Sequence, residues 1–484
     1  MQSLSQTPTP RRAPASPDHW SPETRLLQLS EHDWYTIGHS YEGTLAFGQT
    51  GSGKSSGPGR ALSLAFLRAG YGGLVTTSKP QDADDWRQLA KLAGREKDLR
   101  VISPGGAWTL NILDYQYRAG ERGAGLSENV VNLSLEWLQT RDRARGQPAD
   151  PFWLDSSRFL QTCAIDLLGL AGERITFANI ARVIGSAASS SDEVRSAEWQ
   201  KDSYLNGLIS RAVGRTDLTA AQKIDLNIAI EYWLRDYVTL DPKTRSGIVA
   251  TTRSLTFAFE RSLLSTLFGS DSTCLPEDCS RSGAIVVLDI PVKEFLEAGT
   301  AAQVLFKTVW QRAMERRDVF QDPRPVFLFI DEYQNFVTQY DPLFQATARS
   351  SRVATVVMSQ NLDAIASRLP AHTGKAETQA LLGNFNLKVF CAQDHVETNE
   401  WAAKMIGEEW VTRQNVSAGL GTDGNMTAGT TEQRRFLIDP ITFIRLLKGG
   451  RENHGRVQAL CFRSGRPFAT GLNHIVVNFN QNIA

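Results

Sequence analysis

Apolar positions along this chain follow two patterns, and the switch between them divides it. The short apolar run Thr44-Leu45-Ala46-Phe47 reads as a buried strand, and Gly72–Thr77 and Leu99–Ile102 read as second and third strands. Between them lie stretches that suit helices, one from Ser55 to Leu67 with apolar Leu62, Leu64, Ala65 and Leu67, another from about Asp84 to Leu92. Strand, helix, strand, helix, strand predicts a parallel sheet with crossover helices. From about 120 to 270 such runs vanish and helical periodicity takes over. Leu126–Leu138, Phe152–Leu170, Phe177–Ile184, Ile224–Val238 and Ile248–Leu267 are expected as helices, with a mobile Ala/Ser-rich loop from Ser186 to Glu193. Strand-like runs return at Ala284–Ile290, Pro325–Ile330, Ala354–Met358, Leu387–Phe390, Val457–Phe462 and His474–Phe479, with a long helix from about Ala301 to Arg316.

The expected organisation is a Ser/Pro-rich disordered tail over 1–20, an α/β domain built from 21–118 and 276–484, and an all-helical insertion over 119–275. With 484 residues and 41% hydrophobic content, the chain has enough apolar surface for large cores. No run approaches the roughly 18 apolar residues of a membrane span, and the N-terminus lacks a signal-peptide core, so a cytoplasmic protein without a transmembrane segment is expected. Five scattered cysteines without CxxC spacing indicate neither a disulfide framework nor a zinc site. Lys plus Arg equals Asp plus Glu at 52 each, so nucleic-acid contact requires local patches. Arg141, Arg143 and Arg145 form one such cluster, though a solvated surface explains it equally.

The chemistry concentrates at two strand ends. Gly48-Gln49-Thr50-Gly51-Ser52-Gly53-Lys54-Ser55 fits G-x-x-x-x-G-K-[ST] and stands between a predicted strand and a predicted helix, the context a phosphate-binding loop needs. Glycines let successive N–H groups face a phosphate, the helix N-terminus adds positive potential, Lys54 supplies a mobile charge and the Ser55 hydroxyl suits Mg²⁺. These residues and the adjoining Ser56 are the candidate nucleotide-binding set, with ATP and Mg²⁺ as the expected ligands. The apolar run ending in Asp331-Glu332 is the second signal. In a P-loop protein Asp331 would hold the Mg²⁺ shell and Glu332 would polarise the attacking water. Gln360, at the tip of the next strand, suits a γ-phosphate or water sensor, and equally a strand-terminal turn. Arg349 and Arg352 offer guanidiniums that in a ring of subunits reach a neighbour's nucleotide, and that otherwise belong to the surface.

The order of these motifs resembles the TraG/TraD-type coupling ATPases of conjugation and type IV secretion, within the HerA/FtsK group of translocases. GQTGSGKS, LFIDEYQNF, SRVATVVMSQNLDAI and ISPGGAWTLNILD carry the likeness, which also takes in the Pro151-Phe152-Trp153 opening of the helical part and spans most of 35–480. It implies a RecA-like P-loop NTPase fold with a mostly parallel central sheet and an inserted helical domain. It further implies a homohexamer that hydrolyses ATP between subunits and moves single- or double-stranded DNA without sequence preference, served by relaxosome or secretion-channel proteins. On this likeness Lys54 and Ser55 take phosphate and Mg²⁺, Asp331 takes Mg²⁺, Glu332 is the base, Gln360 the sensor and Arg349 the trans-acting finger, with Arg352 the alternative. Two departures stand out. Thr77-Ser78-Lys79-Pro80-Gln81 keeps only the lysine of an Asp-x-Lys-Gly-Glu-like element, and the membrane helices usual in coupling proteins are missing. An ATPase that hands protein substrates to a channel, a related DNA motor outside conjugation, and a slow nucleotide switch are the competing expectations; an intact Glu332 weighs against the last.

Overall fold

The computed structural model describes residues 17–118, 125–133, 135, 150–257, 259–369, 374–418 and 426–482. Among the described residues nine strands form one sheet: β3 (Thr44–Phe47), β4 (Gly72–Thr76), β5 (Leu99–Ile102), β6 (Ile285–Leu288), β7 (Val326–Ile330), β8 (Val353–Ser359), β9 (Leu387–Phe390), β12 (Arg456–Phe462) and β13 (His474–Asn480). Their spatial order is β13-β12-β9-β3-β8-β7-β4-β6-β5. Seven run parallel, and β12 and β13 close one edge antiparallel. This is the RecA-like α/β arrangement, with β8 lying between the P-loop strand β3 and the Asp-Glu strand β7.

The unbroken apolar runs have a direct physical cause. Side chains alternate across a strand, and here both faces are covered. Leu45, Phe47, Leu328 and Ile330 join one core, while Ala46, Phe327, Phe329 and Met358 join the other. The second core is roofed by α1 (Arg60–Arg68) and α2 (Asp82–Leu92), through Leu62, Phe66, Trp86 and Leu89. Gly73 serves this packing: a Cβ there would come within 2.5 Å of the Phe327 ring. Each large apolar side chain so buried contributes about 1.5–3 kcal/mol.

The first core continues without a break into the helices between β5 and β6. There α3 (Pro151–Leu170) starts where Asp150 accepts the N–H of Phe152 at 2.9 Å and Pro151 opens the first turn. The long α4 (Val292–Arg316) covers the same face of the sheet through Val304, Phe306 and Trp310. No described helix is long and apolar enough to cross a membrane.

Several expected elements differ in detail. Ile248–Leu267 is two helices, Pro242–Thr256 and Ser262–Gly269. Ile224–Val238 begins earlier, at Ala220 behind a Thr219/Gln222 capping box, and widens into a π turn over Tyr232–Asp236. Ser186–Glu193 is pinned and not loose. The Ser186 carbonyl accepts from Trp199 Nε1 at 3.0 Å and Ser203 Oγ at 2.9 Å, and Ala188 is buried, so tertiary contacts override a loop-like composition. Polar alternation hid two hairpins, β1 (Arg25–Gln28) with β2 (Trp34–Thr36), and the exposed ribbon β10 (Glu408–Ala418) with β11 (Met426–Phe436). The tail expected over 1–20 is described only from residue 17, as a short 3₁₀ turn, and the Arg141/Arg143/Arg145 cluster lies outside the described residues.

Candidate nucleotide-binding site

The candidate residues gather at the C-terminal edge of the sheet, where open parallel sheets bind ligands. The loop leaving β3 is tied to both neighbouring strand tips: Gly48 N donates to Ser359 O at 3.3 Å and Gln49 N to Ala392 O at 3.2 Å. Gly51 and Gly53 adopt left-handed φ of +76° and +87°, the backbone curl that turns N–H groups inward. Gly53 is doubly required, because a Cβ would stand 2.5 Å from Val457 of β12. After Lys54 the chain takes a π turn over Ser55–Gly59 that accommodates Pro58, whose missing N–H falls in the first turn, and then enters α1. Ser56 Oγ accepts from Gln481 Nε2 at 2.5 Å, a tether from the far end of the chain.

Two side-chain pairs join this loop to the tip of β7. Ser55 Oγ donates to Asp331 Oδ2 at 2.6 Å. Lys54 Nζ stands 3.5 Å from Glu332 Oε1 with both side chains largely buried. Glu332 occupies the left-handed region, φ +53° and ψ +52°, an unfavourable conformation for a non-glycine residue that clusters at functional sites. Its N–H donates to Asp331 Oδ1 at 2.9 Å, and its Oε2 accepts from Gln334 Nε2 at 2.6 Å and Gln360 Nε2 at 3.3 Å. Burial pushes the Glu332 pKa up, but Lys54, the Gln334 and Gln360 amides and the field of Lys79 outweigh it, so the carboxyl is held below its usual range.

Gln334 escaped the sequence reading, although it sits two residues past Glu332. Its Oε1 accepts from Ser359 Oγ at 2.8 Å, so it bridges the tips of β7 and β8. Asp82 was likewise unmarked. Its carboxylate accepts the N–H groups of Ser78 at 2.7 Å and Lys79 at 2.8 Å, which shapes the loop that departs from the Asp-x-Lys-Gly-Glu-like pattern. An Asp just before a helical run was the available signal. A cavity of about 270 Å³, lined by Ser55, Thr76, Lys79, Asp82, Trp86 and Asp331 among others, adjoins the Ser55–Asp331 pair.

Arg349 and Arg352 are not part of this cluster. They precede β8 and therefore lie at the opposite, N-terminal edge of the sheet. The Arg349 side chain is 71% exposed and stands 3.9 Å from Glu42. Arg352 is committed locally, donating to Pro323 O at 3.4 Å with its guanidinium 5.9 Å from the Phe320 ring.

The donor set suits a nucleotide with Mg²⁺. A curled run of N–H groups, a buried ammonium and the buried Ser52 hydroxyl, which has no protein partner, fit phosphate oxygens; the Ser55 hydroxyl and Asp331 carboxylate are hard oxygen ligands. Residues 325–446, from β7 past β11, match the family model described as the TraM recognition site of TraD and TraG. No curated protein matches the chain in sequence. The chain is similar in fold to the bacterial conjugative coupling protein TrwBdeltaN70 in its unbound monoclinic form, at TM-score 0.57 and 15% identity, over 96% of this chain and 90% of that one. It is also similar to TrwB in complex with ADP and Mg²⁺, at TM-score 0.56 and 14% identity, over 96% and 90%. A third likeness is to TrwB with the GTP analogue GDPNP, at TM-score 0.54 and 15% identity, over 96% and 91%.

Proposed function

We propose that this chain is a coupling ATPase that hydrolyses ATP to move DNA in a conjugation or type IV secretion system. The observation that carries the reading is the joining of Lys54 to Glu332 and Ser55 to Asp331 across the tips of β3 and β7. The N–H groups of residues 51–55 and Lys54 bind the β- and γ-phosphates. Ser55 and Asp331 would hold Mg²⁺, which would supply positive charge to the phosphate oxygens. Glu332, ionised and aimed by Gln334 and Gln360, accepts the proton of the attacking water, and Gln360 reports on the γ-phosphate side. Arg349, exposed at the far edge, acts on the nucleotide of an adjacent copy in a homohexamer, which leaves Arg352 in its local role. The boundaries near 118 and 276 then separate a motor domain from a helical insertion.

DNA is the proposed substrate because TrwB is a conjugative coupling protein, and the matched TraM-recognition segment supports a relaxosome partner. With no net charge, the chain would grip the DNA backbone through local Lys and Arg groups on the cytosolic side. The test is the steady-state ATPase rate with no DNA, single-stranded DNA and duplex DNA at two salt concentrations, with Glu332→Gln as the blank. Stimulation that fades with salt is expected. A Glu332-dependent rate indifferent to DNA would move the substrate to proteins handed to a channel.

A further inference from the structure

Glu332 keeps a costly backbone conformation, and the residues after it explain how. Tyr333 begins a 3₁₀ turn, Tyr333–Asn335, and turns its ring into the core, where it is 2% exposed. Its hydroxyl donates to Asp341 Oδ2 at 3.0 Å. Asp341 opens the short helix α5 (Asp341–Thr347) and is itself buried. Its carboxylate also accepts from Thr338 N at 2.8 Å, Gln311 Nε2 at 3.0 Å and Lys307 Nζ at 2.5 and 2.7 Å. Lys307, fully buried on α4, spends its remaining donor on Phe336 O at 2.9 Å.

One turn earlier on the same helix, Gln303 is equally buried. Its amide accepts from Thr77 N at 2.7 Å and donates to Thr77 O at 2.9 Å and Ile290 O at 2.7 Å. A single helix thus holds the loops after β4, β6 and β7, all three at the edge where Asp331 and Glu332 emerge. A buried ammonium–carboxylate pair is a poor way to gain stability compared with apolar packing, so this one calls for another account.

We propose that Tyr333, Asp341 and Lys307 are positioning residues for Glu332, a relay that fixes the post-β7 turn and thereby aims the base. The inference rests on the assignment of Glu332 above. Without the Tyr333 hydroxyl, the turn loses its side-chain link to Asp341 while the ring still fills its place in the core. Small displacements of a catalytic group lower rate steeply while leaving ligand contacts elsewhere intact.

The test is Tyr333→Phe, which removes one oxygen and keeps the packing. ATPase kcat should fall about 10-fold, with the Kd for a fluorescent ATP analogue unchanged. In the Glu332→Gln background the same substitution should leave the residual rate unaltered, because there is no base left to aim. An unchanged kcat would overturn the inference, and so would an equal fold-loss in both backgrounds, which marks a general structural role. An unchanged Kd in Tyr333→Phe excludes misfolding as the cause of any loss. A parent protein whose hydrolysis does not depend on Glu332 would overturn the functional reading itself, and the relay with it.

Discussion

The two ends of strand β8 are treated very differently by this fold. At its C-terminal end, Ser359 and Gln360 join Lys54, Ser55, Asp331, Glu332 and Gln334 in a lattice of hydrogen bonds and an ion pair, with Lys54 and Ser359 buried, Ser55 exposed and the others half-buried. Just before its N-terminal end, Arg349 stands 71% exposed, 3.9 Å from Glu42. Such surface pairs contribute about 0–1 kcal/mol, so the guanidinium is cheap to redirect. A group meant for the chain's own ligand benefits from preorganisation, because its orientation is fixed before the reaction. A group meant for another copy has to remain available until that copy arrives.

The sharpest way to break this comparison is at its buried end. Lys54→Ala removes the cation that faces the phosphates and leaves Glu332 without its ion-pair partner. ATPase activity should become undetectable; a parental rate in that variant would remove the site from the reading altogether. The exposed end comes next. Arg349→Ala should lower kcat about 10³-fold while binding of an ATP analogue stays at the parental level. Mixing Arg349→Ala with Glu332→Gln subunits should restore activity, because some interfaces then combine an intact base with an intact arginine. Absence of rescue would place Arg349 outside the chemistry, and its exposure would then be that of an ordinary surface residue.

A smaller effect tests the electrostatics of the tip. The Glu332 carboxyl is held below its ordinary value of 4.5, since burial, which raises it, is outweighed by Lys54, Gln334, Lys79 and Gln360. A depressed carboxyl pKa adds stability above the ordinary value, and that share is lost as pH falls through the depressed one. The base is therefore ionised across the neutral range. Gln334→Leu deletes a donor to the ionised form, so the acid limb of the kcat/KM profile should move to higher pH, with a modest loss of rate at pH 7. An acid limb unmoved by this substitution would show that Lys54 and burial alone set the titration.

The strand tips were readable because their signals are local. A glycine-lysine-serine loop between an apolar run and a helix, and two carboxylates closing another run, can each be picked out within about ten residues. The helical segment was readable as helical but not in its joints. The break between Thr256 and Ser262 and the π turn at Tyr232–Asp236 interrupt helical patterns without a Pro or Gly to mark them. The ribbon β10–β11 was hidden for the opposite reason. Both of its faces are exposed around Glu408–Glu409 and Thr431–Arg435, so no buried face imposes an apolar alternation. Gln334 and Tyr333 stood in plain view beside Glu332, yet their roles depend on Ser359 and Asp341, whose placement only the tertiary fold supplies.

Gln481 separates two explanations of the comparison, location and burial. It reaches the site from the last described residues, donating to Ser56 Oγ at 2.5 Å while its Oε1 accepts from Gly450 N at 2.8 Å. It therefore sits at the functional edge and is half-buried, as Gln334 is, but the hydrogen bonds it makes are exposed to solvent. An exposed neutral hydrogen bond contributes about 0.5–1.5 kcal/mol net, so Gln481→Ala should weaken ATP-analogue binding by no more than about 10-fold and leave kcat unchanged. That outcome makes burial the property that distinguishes the groups governing rate from those governing affinity. A fall in kcat as large as the Gln334→Leu effect would instead show that position at the strand tips is sufficient, and that the C-terminal segment is a working part of the P-loop.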